Sequence, residues 1–441
     1  MSVYILFSTS WSAQNGGINA INYDLASALN ANAQEIFAIV SDATDSDISD
    51  AARLGVQLRV ASSDYSNLHN WLPALLEDLR PSLNGECLWI GHDTITGGAA
   101  LLARNIVGGK FVLFHHMDYA NYYHLKKKNG EEKISSQKSL LKQADVVFGV
   151  GPRLFANAKR LRLSAKQTYL FEPGRPSFAI AASKEFDRRI AICGRLSASE
   201  DPVKNLSASI RAAVSSINNE GNRGALTLIG AEYGSARNII GKNLPAIAVN
   251  EISYIGNREN YFSELIDNNI VMMPSVKEGF GLVGWEALCL GIPLVLSRSC
   301  GLYEWLKANN LSEYVVSVEM TGIAPFDEMA LKGALSALIG NYKDHKSRAL
   351  ELANSSKIKT WNETAIHFAS LLSSEVPKPR EEKSDPIPVK KADKPKLGFI
   401  DKDNPDGSFE RFEDLLSISC KKRQLVIPID ESTDYSKGKK V

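Results

Sequence analysis

The stretch from Lys277 to Pro293, KEGFGLVGWEALCLGIP, concentrates residues suited to chemistry. It follows the apolar run Ile270 to Met273 and reads into a helix. Gly279 and Gly281 let the backbone turn closely, and the helix start presents free N–H groups and a partial positive charge to an anion. With Phe280 and Leu282 they make a cradle suited to a phosphate. Glu278 lies in the loop and Glu286 two turns later, so one carboxylate can reach a sugar while the other accepts two hydroxyls. A second reading of the same string is that a Glu near a helix start simply offsets the dipole.

Histidines close two other apolar runs. Lys110 to Phe114 leads into FHHMDY and puts His115 or His116 at a strand end, where ligands of open α/β sheets collect. His92 and Asp93 end a neighbouring run in the same way, on the acceptor side or behind the reacting groups. A lone histidine at such a place is otherwise a polar core cap. Gly16 and Gly17 do not make G-x-G-x-x-G, which argues against a dinucleotide cofactor; a tight loop approaching a diphosphate and an acceptor explains them better. Asp401 to Gly407 has carboxylates at calcium-loop spacing, but Pro405 and Asp406 stand where an oxygen ligand and a glycine are needed. No H-E-x-x-H or G-x-S-x-G occurs.

The elements that must position these residues alternate short apolar runs with helical patterns, the mark of parallel α/β architecture. One series comprises Val3 to Phe7, Glu35 to Val40, Cys87 to Ile90, Lys110 to Phe114 and Val146 to Val150, with helices near Ala20 to Leu29 and Thr96 to Arg104. The second comprises Arg189 to Cys193, Ala225 to Ile229, Ile270 to Met273, Pro293 to Leu296 and Tyr314 to Val318. Runs that are apolar throughout fit strands buried on both faces. The organisation predicted is a doubly wound domain over 1–177, a second over 178–358, and a terminal helix over 359–374 that crosses back to the first domain. Trp361, Ala365, Phe368, Leu371 and Leu372 lie on that helix at helical spacing.

Composition agrees. The chain has 441 residues, 44% apolar and 23% charged, with 51 Lys and Arg against 50 Asp and Glu. Such a balance excludes a disordered chain and offers no global field for a nucleic acid. The five cysteines include no C-x-x-C and read as reduced thiols. No apolar run reaches the ~18 residues of a membrane span, and no leader precedes the first strand, so the expected location is cytoplasmic. Lys126 to Lys128 could give peripheral contact with anionic lipid, but Glu131 and Glu132 dilute them. Residues 375–441 hold a linker rich in Pro, Lys and Glu, followed by Phe409, Phe412, Leu415, Leu416, Leu425, Val426 and Ile427. This is expected to be a flexible tail that docks on a protein partner.

EGFGLVGWE resembles the E-x7-E motif of retaining glycosyltransferases of the GT-B fold, family 4 especially, a group that includes glycogen, sucrose and lipid-glycan synthases. Further segments are similar in order: NGGINAINYDLASAL from Asn15, WIGHDTITGGAALLAR from Trp89, ADVVFGVG from Ala144 and GRLSASEDPVKNL from Gly194. Gly230, Tyr254 to Gly256 and Met273 to Ser275 follow as later landmarks. The resemblance runs from about Val3 to Leu372.

It implies two Rossmann-like domains facing a cleft, and transfer of a hexose from a nucleotide diphosphate sugar, UDP- or GDP-linked, to an unidentified acceptor, with retention and without a metal or other cofactor. Arg195 and Lys204 match the residues that grip the diphosphate, together with the loop Gly279 to Leu282. Glu286 matches the ribose-binding residue and Glu278 the residue near the transferred sugar. His116 matches the histidine that contacts the donor sugar. Fixed cations and helix N–H groups would stabilise the leaving diphosphate. The interval between Arg195 and Lys204 is longer than the family pattern. A glycoside phosphorylase on the same fold, or a sugar-nucleotide sensor signalling through the tail, would carry many of the same residues.

Overall fold

The computed structural model describes residues 2–373, apart from 12–15, 33, 62–64, 66, 163–166, 179, 181–184, 219–223, 232, 241–247 and 253–257. Asn15, Tyr254 to Gly256, the calcium-like string at Asp401 and the tail 375–441 with its expected docking residues lie outside the described residues.

Two all-parallel sheets form the frame. The first has seven strands, β1 (Ser2–Ser10), β2 (Glu35–Asp42), β3 (Gln57–Val60), β4 (Glu86–His92), β5 (Lys110–His115), β6 (Val146–Val150) and β7 (Gln167–Phe171), in the order β3-β2-β1-β4-β5-β6-β7. The second has six, β8 (Arg189–Cys193), β9 (Ala225–Ile229), β10 (Ala248–Ile252), β11 (Ile270–Met273), β12 (Leu294–Ser297) and β13 (Val316–Val318), in the order β10-β9-β8-β11-β12-β13. This is the doubly wound pair predicted from the apolar runs. Each order reverses once, at β1/β4 and at β8/β11, and ligands of such sheets bind beyond the carboxyl ends of the strands at that reversal.

The strands absent from the sequence reading, β3, β7 and β10, are all at sheet edges. Parallel strands buried on both faces need apolar residues throughout, whereas an edge strand tolerates polar ones. QLRV in β3 is half-buried or exposed throughout, and QTYLF in β7 buries only Phe171. Both predicted helices are longer than expected: Gly17–Ala31 and Asp93–Val107.

The chain passes between the sheets twice, and the two passages run side by side. Arg175 bridges Thr360, with its N–H donating to Lys359 O at 2.8 Å. Helix Trp361–Ser373 then rests on the first sheet. Phe368 packs on Phe148 with ring centroids 4.7 Å apart, and Thr360 and Glu363 cap the helix reciprocally through side chain and backbone.

Candidate active site

Site residues gather where the strand ends of both sheets meet. A cleft of about 380 Å³ is lined by His116, Asp118, Asn121, Tyr122, Arg153, Asn157, Arg160, Arg195, Glu200, Lys204, Lys277, Glu278 and Gly279, among others. His116 follows β5, Arg153 follows β6, Arg195 follows β8, and the loop to Gly279 follows β11.

On the second-sheet side the loop is held by close backbone contact. Gly281 has φ +103°, a conformation that favours glycine, and precedes helix Leu282–Cys289, whose first N–H groups carry no side-chain cap. A Cβ on Gly279 would fall 2.6 Å from His116 O, so only glycine allows the loop to lie against the first-sheet wall. A Cβ on Gly17 would fall 2.5 Å from Leu282 Cδ1, so Gly17 also abuts this helix start, while a Cβ on Gly16 would meet nothing within 4 Å. Exposed Gly16 caps helix Gly17–Ala31 with φ +107°. Phe280 is buried beneath the loop, near Trp285, and does not line the cleft.

Lys204 pairs with Glu278, and Ser275 Oγ donates to the same carboxylate at 3.3 Å. Burial works to raise the Glu278 pKa, but Lys204, the Gly279 N–H and Ser275 together hold it below the usual carboxylate range. Exposed Arg195 lines the same cleft. The long interval between the two cations is taken up by a tight turn, Ala198–Glu200, and a one-turn helix, Asp201–Lys204, closed by left-handed Asn205. The same segment also links the two domains. Glu200 reaches across to the first domain, accepting from Tyr122 OH at 2.8 Å and pairing with Lys126 at 2.9 Å.

Other polar links join elements of the two sheets. Arg153 binds Glu304 at 2.6 Å and donates to the carbonyls of Glu278 and Ser299. Lys277 Nζ donates to Asn121 Oδ1 at 3.1 Å. Arg258 joins Asp24 of helix Gly17–Ala31 to Glu286, at 2.6 Å to each. Burial pushes the Asp24 carboxyl up to about 6, against the pull of Arg258. Glu286 is itself buried. Its second oxygen accepts from Tyr261 OH at 2.8 Å, and it does not line the cleft.

The first-sheet wall is layered behind His116. His116 Nε2 lies 2.8 Å from His92 Nδ1, and His92 Nε2 lies 3.1 Å from Asn22 Oδ1. Burial pulls the His92 pKa down to about 3; burial and the neighbouring imidazoles hold His116 well below its ordinary value. Asp93 has φ +42° and is fully buried. It accepts from the His116 N–H at 2.8 Å and from Gln137 at 3.0 Å, and stands 3.0 Å from His115 Nδ1. His115 also meets Asn157 Oδ1 at 2.9 Å and is fully buried. Burial acts to lower its pKa, but Asp93, Asn157 and Asp118 together act the other way and the net shift is upward. His115 is thus a buried cap at the strand end, while His116 lines the cleft.

Sequence reasoning missed Arg153, Arg160 and the partners of Glu286. The strand-end argument that found His116 applies equally to β6, where Gly151 is followed two residues on by Arg153. Asp24 and Arg258 are far apart in sequence and carry no local signal. Among the described residues, no group of three His, Cys, Asp or Glu side chains could hold a metal ion, and no helix is long and apolar enough to cross a membrane.

Comparison with known proteins places this geometry. No curated protein matches the sequence. Among solved structures, sucrose-phosphate synthase from Thermosynechococcus elongatus superposes with a TM-score of 0.64 at 17% identity, covering 84% of this chain and 98% of that one. Anabaena HepE in complex with UDP and glucose gives 0.61 at 14%, covering 85% and 99%. Trehalose-6-phosphate synthase OtsA gives 0.61 at 16%, with the same coverage. At such identities the likeness establishes the fold, which is GT-B. Residues 5–368 match the family described as "Family 4 Glycosyltransferase in conflict systems". The chain belongs to that family, and the protein is a glycosyltransferase.

Proposed function

We propose that the enzyme transfers a hexose, with retention at the anomeric carbon, from a UDP- or GDP-linked donor to an acceptor hydroxyl, and that it does so without a metal. The observation that carries this reading is the meeting of Arg195, Lys204 and Glu278 with His116 in one cleft, against a glycine loop that opens a helix. As the glycosidic bond breaks, its electron pair leaves with the diphosphate. Arg195, Lys204 and the N–H groups at the start of helix Leu282–Cys289 would stabilise that growing charge. His116 would contact the sugar as positive charge develops on its ring. Glu286 would accept the ribose hydroxyls on the lone pairs that Arg258 and Tyr261 leave open. Retention rests on the family. The donor class is supported by similar folds solved with UDP and glucose or with UDP-2-fluoro glucose. A partner-docking role for residues 375–441 and a cytoplasmic location belong to the same proposal.

The reading is tested by incubating the protein with UDP-glucose and GDP-mannose and following sugar release by anomeric-resolved NMR. Slow donor hydrolysis giving first the anomer present in the donor supports retention. First appearance of the opposite anomer contradicts it.

A further inference from the structure

Behind His116, a file of buried hydrogen bonds runs in a single direction. Ser8 Oγ donates to Ser10 O at 3.1 Å, which leaves the Ser8 oxygen to accept from Asn22 Nδ2 at 3.0 Å. The Asn22 amide is thereby oriented, and its Oδ1 faces His92 Nε2 at 3.1 Å. An amide oxygen only accepts, so His92 Nε2 carries a hydrogen. Burial keeps His92 neutral, so its Nδ1 is bare and must accept from His116 Nε2–H across 2.8 Å. His116 is neutral for the same reason, with its one ring hydrogen turned inward. Its Nδ1 is then a lone pair with no protein partner among the described residues, on a side chain that lines the cleft.

The file has one other self-consistent state. Were the Asn22 amide turned over, Ser8 would donate to it and abandon Ser10 O. Every later link would then reverse, and His116 would offer an N–H to the cleft. Ser8 and Ser10 therefore decide the polarity of a ring three hydrogen bonds away.

We propose that Ser8, Asn22 and His92 are positioning residues that fix His116 as a hydrogen-bond acceptor toward the cleft, so that a donor sugar is read there through a hydroxyl O–H and a carboxylate in that place is refused. A lone pair facing a carboxylate leaves both without a proton to share, and such a mismatch in a buried site is strongly rejected. The sugar half of the proposal rests on the donor reading above, while the relay does not depend on it.

The test uses the full chain labelled with 15N-histidine, in which long-range 15N–1H correlations distinguish protonated from bare ring nitrogens. Expected are Nε2–H and bare Nδ1 for both His92 and His116. A majority of Nδ1–H at His116 overturns the relay, whatever the donor proves to be. Ser8→Ala removes one buried oxygen and should yield mixed tautomers at His116, whereas Ser8→Thr, which keeps the hydroxyl, should restore the single one. A tautomer unchanged in Ser8→Ala shows that Ser8 does not direct it and also counts against the proposal. If Ser8→Ala does not fold, the wild-type spectrum alone decides.

For the sugar half, UDP-glucose and UDP-glucuronate hydrolysis should differ by about tenfold or more in kcat/KM in favour of the hexose, with the ratio falling toward unity in Ser8→Ala. Equal rates in the wild type overturn that half. Turnover of neither donor, with the expected tautomer, overturns the UDP-sugar reading and the sugar half while upholding the relay.

Discussion

The layer behind His116 on the first-sheet wall is built from buried, mostly uncharged polar groups, with Arg153 and Arg160 to one side of it, whereas the second-sheet wall around Arg195, Lys204 and Glu278 is built from ions. Behind His116, the side chains of Asn22, His92, His115, Asn157 and Gln137 are satisfied largely by one another and by the carboxylates of Asp93 and Asp118. Facing them, Arg195 is exposed and Lys204 and Glu278 are partly open to solvent. A buried network in a low dielectric is expensive to disturb. Partly solvated ions exchange partners at little expense. The first wall is thus suited to holding one geometry through the transition state, and the second to accepting and releasing a charged ligand.

The contrast breaks most severely at Asp93. Asp93→Ala removes the acceptor for the His116 N–H and for Gln137, and places alanine at φ +42°. Urea unfolding should show a loss on the order of 3 kcal/mol, with Asp93→Asn milder because asparagine tolerates the left-handed region. Lys204→Met, on the ionic wall, should change stability by less than about 1 kcal/mol. Comparable losses for Asp93→Ala and Lys204→Met would erase the distinction between the walls.

The same contrast predicts a kinetic split. His116→Ala should lower kcat about ten- to a thousandfold while donor affinity measured by titration stays nearly constant. His115→Ala should act through stability instead. An unchanged rate for His116→Ala, with a collapse for a folded His115→Ala, would exchange their roles. On the ionic wall, Arg195→Met or Lys204→Met should each weaken nucleotide sugar binding about tenfold or more, since hydrogen bonds to charged groups contribute about 1.5–3 kcal/mol. Glu286→Ala should also weaken nucleotide binding. Its fold should persist, because Arg258 keeps Asp24.

How much of this was legible in the sequence depended on whether the signal was local. Inner strands are apolar throughout and were read directly, while β3, β7 and β10 sit at edges where polar residues are tolerated. Gly279 and Gly281 stood out because a tight backbone turn at a helix start is a short-range feature, whereas Arg195 and Lys204 were singled out only by the resemblance to a family motif. The choice between His115 and His116 was not settled by side-chain alternation. Both faces of a parallel sheet are covered, so alternation does not tell which side meets the cleft. The link from Asp24 to Glu286 through Arg258 joins side chains distant in sequence and exists only in the fold.

A smaller effect concerns pH. His92 and His116 titrate lower in the folded chain than in the unfolded one, so the unfolded chain binds more protons below about pH 6.5 and stability falls as pH drops through that range toward the folded value, about 3 for His92. His115 has a raised folded value and works the other way: its contribution is complete below the unfolded pKa and is lost as pH rises through the folded one. With two imidazoles against one, acid unfolding of His92→Gln should lose less stability between pH 6.5 and pH 4 than the wild type. A steeper acid loss in the variant would mean that His92 is not held neutral.

The central claim is that the ionic wall binds the diphosphate of a nucleotide sugar. Thermal unfolding of the full chain in the presence of UDP, GDP, ADP and their sugars tests it directly. A ligand at about 100 times its dissociation constant stabilises by about 2.7 kcal/mol, and at least one uridine or guanosine compound should do so for the wild type but not for Arg195→Met/Lys204→Met. Stabilisation by none of these compounds, or equal stabilisation of the double variant, would contradict the account.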